Sequence, residues 1–265
     1  MRDSAPDDVF GDWIGDLAAV AEEFRGGDPF PLVVIDGFVH DDLAKQLVDE
    51  FPPLDAMPKS HDYVFADKRE LSDLQRFGTA GAALEQALLS PRFAAALSTL
   101  TGATIFVDPD FYGGGFHQSG DGGYLDMHVD FNIHPEHKTW FRMLNVLLYL
   151  NPNWQEEYGG HLLVKPSPDA TPRAISPQFN RGVIMTTTES TYHGFRRMKL
   201  PPGVTRRSIA AYGYRLVAEG ESAVRTTGWA PENAGLGKRV LARGYNRVVT
   251  LKNRYLGSGT TKNRR

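Results

Sequence analysis

From Thr104 to Val217 the chain carries seven short apolar or alternating runs and no stretch with helical periodicity of helix length, and this constrains the fold more than any other feature. The runs span 104–112, 124–128, 142–150, 161–165, 173–176, 182–188 and 206–217, with Gly, Pro, Asn and Asp clusters between them. Several short strands divided by turn residues predict a double-sheet β fold, a jelly roll, rather than a parallel α/β sheet. The fold class expected is therefore mainly β with helical flanks.

The segment before this core reads differently. Val9, Trp13, Leu17, Val20 and Phe24 form one helical stripe over 9–25, which Gly26 and Gly27 end. A strand-length apolar run, Leu32 to Phe38, follows. Helices are predicted over 41–51, 79–90 and 91–100, the first closed by Pro52 and Pro53. The chain thus reads as a single domain with three parts: a mostly helical part over 1–103, a β core over 104–217 and an extension over 218–265.

That extension is basic. Nine Lys and Arg and no acid occur from Lys238 to Arg265, which leaves about −12 on the rest of a chain whose net charge is −3. Val240, Val248, Leu251 and Tyr255 predict an amphipathic helix over 236–255 docked on the acidic body, not a nucleic-acid arm. With no long apolar span and no charged-then-apolar leader, the sequence predicts a cytoplasmic protein with no membrane partner. It says nothing of oligomeric state.

The chain has no cysteine, so thiol nucleophiles, disulfides and Cys-bound metals are excluded and any metal must be held by His and carboxylates. His128 and Asp130 lie two apart in a strand and so project to one face. With a third ligand they would make a 2-His-1-carboxylate set that leaves metal positions open. His193, 65 residues on, can supply it. Arg206 and Ser208 share a face of the last long strand, and a guanidinium directed into a barrel needs an anionic partner.

At this point the chain resembles the iron(II) and 2-oxoglutarate-dependent dioxygenases, in their prolyl 4-hydroxylase-like branch. His128-Val-Asp130, then His193, then Arg206-Arg-Ser208 follow the family's motif order. Tyr149-Leu-Asn151 with Trp154, Gly159-Gly160-His161-Leu162, and the strand before Phe38 are similar as well, so the resemblance covers about 30–217. His161 departs from the Glu usual there.

The resemblance implies a jelly-roll core, Fe(II) held by His128, Asp130 and His193, and 2-oxoglutarate bound by Arg206 with Tyr149 and Ser208. It implies O2 as oxidant, decarboxylation of 2-oxoglutarate to succinate, and ascorbate as a reductant. Arg207 alternates to the outer, solvated face. The Gly-dense segment 113–123 reads as a turn or lid that offers His117 and Gln118 to the substrate. Asn132, Trp140 and His161 are further candidates for the substrate wall, whereas His134 and His137 are expected at the surface.

Hydroxylation of a small polar metabolite, such as an amino acid, sugar or aminocyclitol in a biosynthetic pathway, is the leading functional expectation. The acidic body suits an amine. Hydroxylation of prolyl or other residues in a protein is the alternative within the family, and a non-catalytic jelly-roll metal- or ligand-binding protein is the alternative outside it. A zinc hydrolase using the same triad would leave Arg206 and Ser208 without a purpose.

Overall fold

The computed structural model describes residues 9–59, 64–221 and 223–231. The helix expected over 236–255 lies outside the described residues. In chain order the elements are α1 (Leu17–Arg25), β1 (Leu32–Asp36), α2 (Asp41–Asp49), β2 (Ala66–Asp67), β3 (Arg69–Leu71), α3 (Thr79–Leu88) and α4 (Pro91–Thr101). There follow β4 (Phe106–Val107), β5 (Gly115–Ser119), β6 (Tyr124–Val129), β7 (Trp140–Tyr149), β8 (Leu162–Lys165) and β9 (Arg173–Ile175). The last four strands are β10 (Arg181–Thr186), β11 (Tyr192–Phe195), β12 (Arg206–Leu216) and β13 (Gly228–Trp229).

Two antiparallel sheets form the jelly roll. The larger runs β1-β10-β7-β12-β5-β3, with β4 continuing beyond β5 along the same strand, β12. The smaller runs β13-β6-β11-β8-β9, with β2 on β6. Strand periodicity divides the work of the larger sheet. On one face Leu144, Val146, Leu148, Ile209 and Ala211 join Phe24, Leu47, Leu84, Phe93 and Leu97 of the helices in the main core. On the other face Asn145, Leu147, Tyr149, Arg206, Ser208 and Tyr212 border a cavity between the sheets.

The helices start where side chains can take their first N–H groups. Asp16 accepts from the Ala19 amide to open α1, Ser90 accepts from the Phe93 amide to open α4 with Pro91 behind it, and Glu50 reaches across to the Ala80 amide of α3. Gly102, at φ 71°, closes α4 in the left-handed region.

Four expectations are corrected. The stripe over 9–25 is not one helix, because a 3-10 turn at Asp12–Gly15 precedes Asp16, whose extended-side backbone and capping carboxylate restart the chain as α1. The part over 1–103 has its expected helices and β1, but it also supplies β2 and β3, which the sequence did not announce, to the two sheets. Only Phe106 and Val107 of the run 104–112 pair as a strand. Asp108 then turns the chain by accepting from the Asp110 and Tyr112 amides.

The fourth correction concerns 113–123, which is not a free turn. Gly115–Ser119 is β5, paired with both β12 and β3. A Cβ on Gly115, at φ 82°, would meet the Leu71 carbonyl at 2.2 Å, so glycine here permits strand contact and not mobility. β11 places His193 within a strand.

Candidate metal and cosubstrate site

His128 and His193 are directly opposite each other in the antiparallel β6–β11 pair, and Asp130 follows β6 immediately. All three are buried, and one ligand atom from each lies within 4.8 Å of the others. The Asp130 carboxylate stands 3.5 Å from His128 Nε2 and 3.3 Å from His193 Nε2. The outer nitrogens are spoken for. His128 Nδ1 donates to the Asp126 carbonyl at 2.9 Å and His193 Nδ1 to the Thr191 carbonyl at 3.1 Å. With Nδ1 carrying the proton, each Nε2 presents a lone pair to the same point as the carboxylate, which is the donor set a divalent metal requires.

The electrostatics keep His193 and Asp130 in the forms that a metal would need. Burial lowers the His193 pKa to about 4, with the neighbouring His128 adding to the shift, so the imidazole is neutral at physiological pH. Burial alone would raise the Asp130 carboxyl, but Arg142, His193 and His128 outweigh it and hold Asp130 well below the usual carboxylate range. Arg142 is the residue that motif reading missed. Its Nη2 lies 3.2 Å from Asp130, it donates twice to Asn145 Oδ1, and it stacks 3.4 Å over the Tyr212 ring. Asn145 Nδ2 in turn donates to Asp130 at 2.7 Å. Nothing local marks Arg142 or Asn145, since both look like ordinary positions in an apolar strand.

Arg206 lies on the opposite wall and is buried. Its Nε donates to the Gly160 carbonyl at 2.7 Å and its Nη2 to the Tyr149 hydroxyl at 3.3 Å, while its guanidinium packs on the Phe195 ring. Among the described residues no carboxylate pairs with it. Burial without a counter-charge lowers its pKa. Gly160 sits at φ 66°, and a Cβ there would come 3.2 Å from Arg206 Cδ and 2.5 Å from Met198 Sδ. Ser208 pairs in register with Tyr149, so Arg206, Ser208 and Tyr149 face the cavity together.

The triad, Arg206, Tyr149 and Ser208 share one cavity of about 1000 Å³. His117 and Gln118 also border it from β5, and Gln118 Oε1 is buried without a hydrogen-bond partner among the described residues. The other wall candidates do not border it. Asn132 instead accepts from the Arg225 amide and donates to the Ala223 carbonyl, which fastens residues 223–231 beside the candidate ligands. Trp140 stacks on His137, and His161 pairs with Glu156 at 2.7 Å.

Two more residues depart from expectation. His134 is not at the surface but buried, with Nε2 3.4 Å from Asp108. Arg207 is half-buried, donating to the Val48 carbonyl over the Phe51 ring, because its face of β12 meets α2 and not solvent. Trp229 of β13 was also missed. It stacks between Phe65 and His128, with ring centroids 4.7 and 4.9 Å away.

Residues 114–214, which hold every one of these motifs, match the family model of the 2OG-Fe(II) oxygenase superfamily. The segment that holds the candidate site is similar to that superfamily. In fold this oxygenase is similar to a prolyl-4-hydroxylase from Pseudomonas putida, at 18% identity and TM-score 0.57, over 76% of this chain and all of that one. A prolyl hydroxylase from Trichoplax adhaerens, solved with a hypoxia inducible factor peptide fragment, aligns at 15% identity and TM-score 0.52 over 76% of this chain and 90% of that one. A prolyl 4-hydroxylase from Phytophthora capsici aligns at 18% identity and TM-score 0.51 over 91% and 77%. Comparison with curated protein sequences returns no significant match.

As a 2OG-Fe(II) oxygenase the protein is a 2-oxoglutarate-dependent dioxygenase that uses iron, 2-oxoglutarate and O2. Among the described residues no helix is long and apolar enough to cross a membrane.

Proposed function

We propose that His128 Nε2, Asp130 and His193 Nε2 hold the iron, that Arg206 with Tyr149 and Ser208 receives the far carboxylate of 2-oxoglutarate, and that the enzyme oxidises a small polar molecule. The observation that carries this reading is Arg206, a buried cation with no carboxylate partner among the described residues, bordering the same cavity as the triad. A buried unpaired charge costs several kcal/mol, about as much as a bidentate carboxylate would return. A binding module would have no use for that expense beside a metal.

When bound, Fe(II) and 2-oxoglutarate supply the oxidising chemistry. The chain supplies position and charge. Arg142 and Asn145 keep Asp130 ionised and aimed, the Asp126 and Thr191 carbonyls fix the histidine tautomers, and Gly160 and Tyr149 orient the Arg206 fork. The cavity volume is at the upper end for a small-molecule site, and residues 223–231 lie against the β6 edge beside the triad, which favours a compact substrate over a polypeptide segment.

The experiment is turnover of 2-oxoglutarate to succinate by the Fe(II)-loaded protein, measured with panels of small polar metabolites and of prolyl peptides. Stimulation by a small molecule, with loss of turnover in Arg206→Ala, is expected. Stimulation by prolyl peptides alone would make the protein-hydroxylase reading the right one.

A further inference from the structure

The cavity has more charge than the metal and cosubstrate explain. With Arg142 paired to Asp130 and Arg206 turned to 2-oxoglutarate, its described lining still contains Lys59, Lys68, Arg76 and Arg225 against Glu70 and Asp73. Local charge therefore runs opposite to the acidic bulk, and it is the local charge that a bound group meets at short range.

Arg225 is the best placed of the four. Residues 223–231 carry it past the metal ligands, with Gly228 and Trp229 paired to Val129 and His128 of β6. Asn132 clamps this segment on both sides of Val224, since it accepts from the Arg225 amide at 2.6 Å and donates to the Ala223 carbonyl at 2.9 Å. The guanidinium is then tied by Nε to the Asp130 carbonyl at 3.1 Å. Among the described residues the one carboxylate within ion-pair distance is peripheral, for Glu189 meets Nη1 at 3.4 Å with a side chain 81% exposed. Nη2 is buried and has no hydrogen-bond partner among the described residues. A buried guanidinium donor left unused costs free energy that an acceptor oxygen would recover.

Taking Arg206 as the cosubstrate anchor, we propose that Arg225 is the substrate-recognition residue and that the substrate is a small anion, carrying a carboxylate or phosphate that Arg225 receives beside the metal. The planar fork suits both oxyanions, whereas Lys68, between β2 and β3, is already paired with Glu70 at 3.1 Å. An amine would enter against this field, so the amine expected from bulk charge is the wrong class.

The test uses full-length protein loaded with nickel(II) and saturating 2-oxoglutarate, at ionic strength fixed with chloride. Binding of 2-oxoglutarate is measured first, and its absence would refute the proposed function itself. Inorganic phosphate, acetate and methylammonium are then titrated separately, read by calorimetry and melting temperature. Saturable binding of phosphate or acetate is expected, and whichever binds more tightly identifies the oxyanion. Arg225→Gln should weaken it at least tenfold while shifting 2-oxoglutarate affinity less than threefold, and Arg225→Lys should retain part of it.

No saturable anion binding to the loaded wild-type protein, preference for methylammonium, or anion affinity unchanged in Arg225→Gln would each overturn the proposal. Equal loss of 2-oxoglutarate and phosphate affinity in that variant would also overturn it, by assigning Arg225 to the cosubstrate. The three wild-type titrations decide the matter even if a variant fails to fold.

Discussion

Asp130 and Arg142 form a buried pair at 3.2 Å in which the candidate metal ligand is also the counter-charge of a guanidinium packed between the Tyr212 and Phe131 rings. One residue therefore serves both the site and the stability of the fold. Asp130→Asn keeps the shape and removes the charge. Fe(II) affinity should fall at least tenfold, and the metal-free protein should lose about 3 kcal/mol because Arg142 is stranded. Metal titration and urea unfolding read the two effects separately. Wild-type metal content in the variant would refute the ligand assignment.

Arg206 and Arg207 are neighbours on β12 whose side chains take opposite faces, one toward the cavity and one toward α2. Arg206→Ala should weaken 2-oxoglutarate at least tenfold, consistent with about 2 to 5 kcal/mol for truncating one partner of a buried charged contact. Arg207→Ala should leave that affinity unchanged and cost about 1 kcal/mol of stability, through its lost contacts with the Val48 carbonyl and the Phe51 ring. Calorimetry with nickel-loaded protein would show it, and equal losses in both variants would contradict the assignment.

His117 is held neutral. Burial, then Lys68, push its pKa down to about 3, only partly opposed by Glu70, against about 6.5 in an unfolded chain. Because the folded value is the lower one, its contribution to stability is complete above about pH 6.5 and is lost as pH falls toward 3, by up to about 1.4 kcal/mol per pH unit. Between pH 6.5 and 4.5 the metal-free His117→Gln protein should lose less stability than wild type. Parallel curves in urea unfolding would show that His117 does not carry this dependence.

Trp229 should matter to both folding and metal. Trp229→Ala removes a ring stacked on Phe65 and His128 and should cost about 3 kcal/mol, with weaker metal binding because His128 loses one of its walls. Trp229→Phe should restore much of both. Stability lost with metal affinity intact would make Trp229 a packing residue alone.

What the sequence determined by itself was the local part of this protein. A strand places residues two apart on one face, so His128 with Asp130 and Arg206 with Ser208 could be read as pairs, and turn residues at short intervals announced the β core. Tertiary structure decided everything that depends on register between distant strands. It set His193 opposite His128, brought Arg142 and Asn145 to Asp130, buried His134 against Asp108, and laid Trp229 against His128 and Arg225 against the Asp130 carbonyl. The reason is physical. Periodicity reports which face a side chain takes, whereas its partner and its solvation follow from what the rest of the chain packs against that face.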